Sequence, residues 1–206
     1  MLSLEIGELL LQLGRGMLAE REGDRLTSAQ WFAILFFSRA NVFSRTLSGL
    51  AAYQATTRGT ASQTIKSLVQ RGYLVRKKSP YDGRSSILSP TEKARMRMAA
   101  DPLASVFNDI DALSPHKQEL LRDILRQLVG QLGGEARRQA VGSCRDCIFL
   151  LIRRLKAQEG IQVNFFCKCI GMPVNEKDLE LLCTSFQAKT GAASHWTGGK
   201  RDEEES

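Results

Sequence analysis

All five cysteines of this 206-residue chain lie between positions 144 and 183. Cys144 and Cys147 form a Cys-x-x-Cys pair, a spacing that lets two thiolates converge on one metal. Cys183, with either Cys167 or Cys169, brings the number of thiolates to four. Four thiolates suit a zinc ion or an iron–sulfur cluster. The sequence therefore predicts a metal site with Cys144, Cys147, Cys167 and Cys183 as ligands, and Cys169 as the alternative to Cys167.

A second group of side chains suits a polyanion. Between residues 58 and 84, seven lysines and arginines stand against one acid, so this segment holds a net +6 of the formal +7 charge. Each neutralised phosphate releases counterions, and polar side chains nearby can read base edges. The candidate DNA-binding residues are Arg58, Ser62, Gln63, Lys66, Gln70, Arg76, Lys77, Lys78, Asp82 and Arg84.

The same segment predicts a helix followed by a β-hairpin. Thr60 is the expected N-cap, because Gln63 follows at the capping-box spacing. Gly72 ends the helix, Tyr73 opens a strand, and residues 80–83 form the hairpin tip. One face of the helix is polar and includes Ser67, and the other is apolar through Ile65, Leu68 and Val69. A polar helix followed by a basic hairpin is typical of a winged helix.

From about Leu26 to Leu128 the chain resembles MarR-type (multiple antibiotic resistance regulator) transcription regulators. The most specific match is the hairpin run Ser79-Pro80-x-Asp82-x-Arg84. Further matches are Leu26-Thr27, Gln30-Trp31, Leu47-Ser48, Leu50-Ala51, Ser62–Ile65 and Gly72–Arg76. The resemblance implies that Asp82 holds Arg84 and that Arg84 enters the minor groove. The run from Leu88 to Lys93 departs from the usual Leu-Thr-x-x-Gly, so the next helix is expected to begin loosely.

The expected fold is mainly α with a small β-wing: a winged helix-turn-helix, dimerised through N- and C-terminal helices, plus a small Cys-rich appendage. Apolar periodicity predicts helices over Leu2–Arg21, Ser28–Arg39, Leu47–Gln54, Glu92–Leu113 with a break at Pro102, and from Pro115 onward after a Ser114 cap. The expected segments are a dimerisation helix (1–25), the DNA-binding domain (26–93), dimerisation helices (94–138), the Cys-rich metal module (139–187) and a disordered tail (188–206).

Three interpretations of the cysteines stay open: a metal site, a disulfide switch, and reduced thiols in a helical appendage. Cys167 is preferred to Cys169 because it lies six residues before Pro173, an offset similar to that of small four-cysteine modules. The spacing also resembles high-potential iron–sulfur modules, which implies that Phe149 and Phe186 shield a cluster. A structural disulfide framework is disfavoured, because a DNA-binding protein works in a reducing compartment.

The favoured function is a cytoplasmic, sequence-specific DNA-binding regulator, a repressor that responds to redox or metal state. A homodimer would place two recognition helices about 34 Å apart on a pseudo-palindromic operator, and the resemblance implies a site for a small-molecule effector. The alternative is a redox-sensing or electron-transfer module with the winged helix as scaffold. No run is long enough for a membrane helix, and no nucleotide-binding loop, HExxH or nucleophile elbow suggests an enzyme.

Overall fold

The computed structural model describes residues 1–18, 26–79, 86–101, 103–131, 142–157 and 160–189. The chain divides into two compact units. The first comprises Met1–Ala40 and Arg45–Ala112, and the second comprises Asn41–Ser44 and Leu113–Ser206. A four-residue piece from the middle of the winged-helix sequence therefore belongs to the unit that holds the cysteines.

The first unit is helical with one two-stranded hairpin. Its elements are α1 (Leu2–Leu18), α2 (Ser28–Arg39), α3 (Leu47–Tyr53), α4 (Arg58–Gln70), β1 (Leu74–Lys78), β2 (Ser86–Pro90), α5 (Glu92–Ala99) and α6 (Leu103–Asp111). The order of α2 to β2 confirms the predicted winged helix, and α2 has the predicted bounds. The helix expected over Glu92–Leu113 with a break at Pro102 is divided into α5 and α6, so the predicted break is confirmed.

Aromatic and branched side chains fill the core of the first unit. The aromatic side chains of α2 lie inside: Trp31, Phe36 and Phe37 are buried, and Phe36 stacks on Tyr53 with ring centroids 4.7 Å apart. Other buried members are Ile34, Leu50, Ile65, Leu68, Tyr73, Leu74 and Leu88. The apolar faces of α2, α3 and α4 thus meet the base of the hairpin and hold α4 in place.

Threonines cap four of these helices. Thr27 and Gln30 form a complete capping box at α2, and Thr46 caps α3. The cap of α4 is Thr57, whose Oγ1 accepts a hydrogen bond from the Thr60 backbone N–H at 3.1 Å. The predicted cap at Thr60 is therefore wrong: the helix starts one turn earlier, because Thr57 has the extended backbone that a cap needs.

The helix after the wing also has a defined start. Thr91 caps α5 by accepting from the Ala94 backbone N–H at 3.4 Å. Its hydroxyl donates to the carbonyl oxygens of Gly72 and Tyr73 at 2.7 and 3.2 Å. The prediction that this helix begins loosely is wrong. The Thr91 hydroxyl accepts a hydrogen bond from the first turn of α5 and donates to the turn before β1.

The second unit combines one long helix with short and long strands. Its elements are α7 (Pro115–Gln131), β3 (Gly142–Ser143), a 3₁₀ turn (Cys144–Asp146), β4 (Leu150–Ala157), β5 (Gly160–Cys167), β6 (Met172–Val174), a second 3₁₀ turn (Glu176–Asp178) and β7 (Leu182–Cys183). The helix begins at Pro115, as predicted. The interpretation of the cysteine region as helical is wrong, because its described secondary structure is strands and 3₁₀ turns.

Antiparallel pairing organises the cysteine region. β4 pairs with β5 from Leu150↔Cys167 to Ala157↔Gly160, and β6 adds to the other edge of β5. A separate two-stranded sheet pairs Gly142 of β3 with Cys183 of β7. Strand pairing thus brings the Cys-x-x-Cys turn beside Cys183, about 40 residues away in sequence. None of the described helices has the length and apolar character needed to span a bilayer.

Candidate DNA-binding surface and cysteine cluster

The predicted reading face of α4 points to solvent. Ala61, Ile65 and Leu68 are buried on the inner face, so the helix is anchored by its apolar side. The predicted contact residues on the other side are all exposed, namely Arg58, Ser62, Gln63, Lys66 and Gln70. The geometry leaves two cationic and three hydrogen-bonding side chains along one helix face, which is what phosphate and base-edge contacts require.

Ser67 does not belong to that face. It is half-buried, and its Oγ accepts a hydrogen bond from Gln30 Nε2 at 3.0 Å. Gln30 Oε1 in turn accepts from Arg71 at 3.0 Å. The Ser67 hydroxyl therefore joins α4 to α2. Sequence reasoning missed this polar link, because no local pattern pairs residues about 40 positions apart.

The hairpin continues the basic surface. Arg76, Lys77 and Lys78 of β1 are exposed, opposite Leu88, Ile87 and Ser86 of β2. Leu88 is buried, and its backbone N–H donates to the carbonyl of Arg45 at 2.9 Å. The base of the wing is thus fixed in the core. The predicted Asp82 and Arg84, with Pro80 and Gly83 of the tip, lie outside the described residues.

Four of the five thiols belong to packed groups of the second unit. Cys144 is buried with Val174 and Leu179, and half-buried Cys167 packs against them. Cys147 and Cys183 are buried together with Phe186, and Phe149 packs against this group. Cys169 is exposed, and no cysteine is in a disulfide. The four cysteines chosen as ligands line the interior of the unit, while the alternative residue faces solvent.

Burial favours the protonated form of two of these thiols, those of Cys144 and Cys167. Burial, together with the nearby groups of Cys183, Cys167 and Cys147, raises the pKa of the Cys144 thiol to about 11. A hydrogen bond from Asn41 opposes this rise. Burial also raises the pKa of Cys167, opposed by backbone hydrogen bonds from Ile170 and Cys169. Within the described ranges, no three Cys, His, Asp or Glu side chains are placed to hold one metal ion together.

The turn between Cys144 and Cys147 is tied to α7. Asp146 accepts from Arg126 at 3.2 Å, and the Arg122 guanidinium lies 3.8 Å from the same oxygen. The Arg126 guanidinium also lies over the Phe186 ring, 5.7 Å from its centroid. Each pair is partly exposed and individually weak, but together they orient the Cys-x-x-Cys turn on the helix. Sequence reasoning assigned α7 only to dimerisation and missed this role.

The segment Asn41–Ser44 is the least expected member of the second unit. Asn41 is fully buried, its backbone N–H donates to Leu182 at 2.8 Å, and its Nδ2 contacts Cys144 Sγ at 3.9 Å. Ser44 Oγ accepts from the Thr184 backbone N–H at 3.0 Å. Phe43 packs against the group of Cys144. A buried asparagine beside a cysteine is visible only in the folded chain, since 103 positions separate the two residues.

Residues 26–85 match a sequence-family model described as MarR family. None of the curated proteins matches the chain. Among solved structures, the chain is similar to Streptococcus pneumoniae FabT in complex with DNA, at 23% sequence identity and a TM-score of 0.43. The similarity covers 64% of this chain and 92% of the FabT chain. It is also similar to a MarR transcriptional regulator from Methanosarcina mazei Go1, at 21% sequence identity and a TM-score of 0.44. This similarity covers 61% of this chain and 94% of the Methanosarcina chain.

The zinc-dependent MarR-family regulator AdcR, solved in its Zn(II)-bound state, shares 23% identity over 64% of this chain and 95% of that chain, with a TM-score of 0.38.

Proposed function

Residues 26–85 match the MarR family model, and from that premise we propose that the chain is a sequence-specific DNA-binding regulator acting as a homodimeric repressor. The family consists of DNA-binding transcription regulators and not enzymes. The observation that carries the proposal is the exposed polar face of α4 beside the exposed basic strand β1. The proposed partner, double-stranded DNA, implies action in the cytoplasm.

The proposed reading helix has the chemistry for both kinds of DNA contact. Arg58 and Lys66 supply charge for phosphates, and Ser62, Gln63 and Gln70 supply hydrogen bonds for base edges. Arg76, Lys77 and Lys78 extend the charge along the hairpin. By the family resemblance, Arg84, which follows the predicted hairpin tip, would enter the minor groove and Asp82 would hold it.

A homodimer is proposed because two described helices expose apolar side chains. On α1 the exposed residues include Leu4, Leu9, Leu10 and Leu13, and on α7 they include Leu120, Ile124, Leu125 and Leu128. Several exposed apolar side chains on one helix suggest an interaction site on that helix. A two-fold dimer would present two copies of α4 to successive major grooves of a pseudo-palindrome. A small-molecule effector site remains a proposal from the family resemblance.

The test begins with a duplex selected by the wild-type protein from a random pool. We expect the selected sites to be pseudo-palindromic. Lys66→Ala should lower the slope of log K against log salt by about 1 per subunit, because one phosphate contact is lost. The matched control is Lys177→Ala, an exposed lysine of the second unit. An unchanged slope in Lys66→Ala would remove α4 from the proposed contact surface.

We also propose that Cys144, Cys147, Cys167 and Cys183 bind a metal centre to which DNA binding responds. The observation that favours this second function is the packing of four unbridged thiols inside one small unit. A buried thiol with a raised pKa stays protonated near neutral pH, and metal binding would displace that proton. Cys169, being exposed, is not part of the proposed ligand set.

We propose an iron–sulfur cluster, with a single zinc ion as the alternative. A tetrahedral zinc site, with Zn–S bonds of about 2.3 Å, needs its sulfurs within about 4 Å of one another. The described thiols influence one another electrostatically but are not placed around one ion. A cluster places iron and sulfide atoms between the cysteine sulfurs and tolerates wider spacing. Phe149 and Phe186 would shield it from water.

Anaerobic purification, a visible absorption spectrum and metal analysis test this proposal. We expect a brown protein with iron and acid-labile sulfide, both lost in Cys144→Ser and retained in Cys169→Ser. A colourless protein with one zinc per chain would indicate a structural zinc ion in place of the cluster. A protein with no metal and five titratable thiols would eliminate the metal centre and leave the DNA-binding proposal intact.

A further inference from the structure

A side-chain amide of α2 holds the last turn of α4 at two points. Gln30 Nε2 donates to Ser67 Oγ at 3.0 Å, and Gln30 Oε1 accepts from the Arg71 guanidinium at 3.0 Å. The same Oε1 accepts from the Thr27 backbone N–H at 3.1 Å, which ties the amide to the start of α2. Ser67 and Arg71 are four positions apart and so lie on one side of the helix. We call Gln30, Ser67 and Arg71 the amide clamp.

The amide clamp is directional, whereas the packing beneath α4 is not. Ala61, Ile65 and Leu68 bury the inner side of α4, and hydrophobic burial depends on the area removed from water rather than on direction. Hydrogen bonds need their donors and acceptors in line. Two such bonds one turn apart therefore fix the rotation of α4 about its own axis, which the apolar contacts alone would leave less well defined.

The rotation of α4 decides where its reading face points. Lys66 and Gln70 are exposed, and each precedes a clamp residue by one position. A helix with its side chains has a radius of about 5–6 Å, so a rotation of about 20° moves a side-chain tip by about 2 Å. Such a shift breaks a hydrogen bond to a base edge. Attraction between a cation and a phosphate changes little, because it acts over about 10 Å.

The clamp also engages one cation of the basic segment inside the first unit. The Arg71 guanidinium lies over the Tyr73 ring, 5.7 Å from its centroid, and its backbone carbonyl accepts from Lys93 Nζ at 3.3 Å. Lys93 Nζ lies over the same ring at 4.5 Å. Tyr73 is buried. Arg71 is thus held between α2 and the start of the hairpin, where it orients α4.

We propose that Gln30 is a positioning residue that sets the base specificity of α4 through Ser67 and Arg71. This inference rests on the proposed binding of DNA by α4. Without the clamp, α4 keeps its charge and its buried side, but its polar side chains no longer meet base edges in register. Discrimination between DNA sequences is then lost, while attraction to phosphates is kept.

The experiment compares full-length variants on the selected duplex and on a scrambled duplex of the same composition. Gln30→Met keeps the length of the side chain and removes both bonds to α4. Gln30→Glu retains the clamp, because a carboxylate accepts from Arg71 and from the Ser67 hydroxyl, which can turn to donate. Gln54→Met is the matched control: Gln54 is also half-buried, and its amide donates to the Ala29 carbonyl at 2.8 Å, joining α2 to the end of α3.

The measured quantity is the ratio of the dissociation constants for the scrambled and selected duplexes. Gln30→Met should lower this ratio by about 5- to 150-fold, the discrimination that one good base contact provides. Its salt dependence on the scrambled duplex should stay that of the wild type, because no phosphate contact is lost. Gln30→Glu and Gln54→Met should keep the wild-type ratio. A wild-type ratio in Gln30→Met, or an equal fall in Gln30→Glu or Gln54→Met, would overturn the inference.

Failure of this inference can be told apart from failure of the proposed function. A wild type that does not discriminate between the duplexes ends both, whereas discrimination that survives in folded Gln30→Met ends only the role of Gln30. Should Gln30→Met not fold, Ser67→Ala and Arg71→Met each remove one bond of the clamp. Both should lower the ratio, and Arg71→Met should leave the salt dependence unchanged. Wild-type ratios in both variants would refute the clamp.

Discussion

Thr57 is the residue that sets the first turn of α4, and with it the position of Arg58 at the end of the proposed reading face. Thr57→Ala should lower the free energy of unfolding by about 1 kcal/mol, the usual cost of losing an N-cap side chain. Thr60→Ala should cost clearly less, because Thr60 contributes its backbone N–H, which alanine retains. Urea unfolding of both variants measures the difference. Equal losses would mean that the cap is shared between the two hydroxyls, which lie 2.9 Å apart.

Gly142 gives Phe186 its place beside Cys147 and Cys183. A Cβ at this position would lie 2.7 Å from Cζ of the Phe186 ring. Gly142→Ala should therefore destabilise the cysteine unit by about 1–3 kcal/mol through overpacking. The displaced ring should also speed the reaction of buried thiols with a disulfide reagent in the metal-free protein.

The matched control is Gly130→Ala on α7, where an added Cβ meets nothing within 4 Å. That substitution should stabilise the protein by up to about 1 kcal/mol, since alanine is the better helix former. If Gly142→Ala left both stability and thiol reactivity unchanged, Phe186 would not be the shield proposed here.

At the scale of elements, α7 serves two surfaces. Arg122 and Arg126 lie on the side that meets Asp146, the residue between the paired cysteines. Ile124 and Leu128 lie elsewhere on the helix and are exposed. An element with one face committed to its own unit and an apolar face left open is suited to a second copy of the chain.

The double substitution Ile124→Gln, Leu128→Gln should weaken the proposed dimer by several orders of magnitude. Each buried side chain of this type contributes about 1.5–3 kcal/mol, and a two-fold interface loses four of them. Sedimentation equilibrium measures the dissociation constant, and DNA affinity should fall in parallel. Glu119→Gln, an exposed position on the same helix, is the control. A double variant that dimerises normally would place the interface on another element.

At the scale of the whole molecule, the two units are interleaved in sequence. The chain leaves the first unit after Ala40, contributes four residues to the second, returns at Arg45 and leaves again after Ala112. Both ends of the segment Asn41–Ser44 therefore continue into the winged helix. Unfolding of the cysteine unit frees this segment, so the stability of the first unit should depend on the second.

Leu179→Ala tests that dependence. Leu179 is buried in the second unit, so its truncation should cost about 2–5 kcal/mol there. We expect the unfolding midpoint reported by Trp31 fluorescence, a probe buried in the first unit, to fall as well. A Trp196→Phe background leaves Trp31 as the single tryptophan. Ile152→Ala, at an exposed position of β4, is the control, and an unshifted Trp31 transition in Leu179→Ala would show that the units unfold independently.

Local patterns in the sequence determined the winged helix. The polar and apolar faces of α4, the glycine after it and the basic strand all depend on residues a few positions apart, and the structure confirms them. The same patterns misplaced the cap of α4 by one turn, because Thr57 and Thr60 both have suitable side chains and the backbone conformation chooses between them. Local patterns also do not reveal the hydrogen bond between Ser67 and Gln30, since the two residues come from different helices.

Cysteine spacing predicted which thiols belong together, and only the tertiary structure decided what surrounds them. Strand pairing sets Cys183 beside the Cys-x-x-Cys turn, burial separates Cys167 from exposed Cys169, and α7 and Asn41 approach from distant parts of the sequence. These contacts join residues 20 to 103 positions apart. Helix periodicity and capping are properties of neighbours along the chain, whereas the environment of a buried thiol is set by whichever segments pack against it.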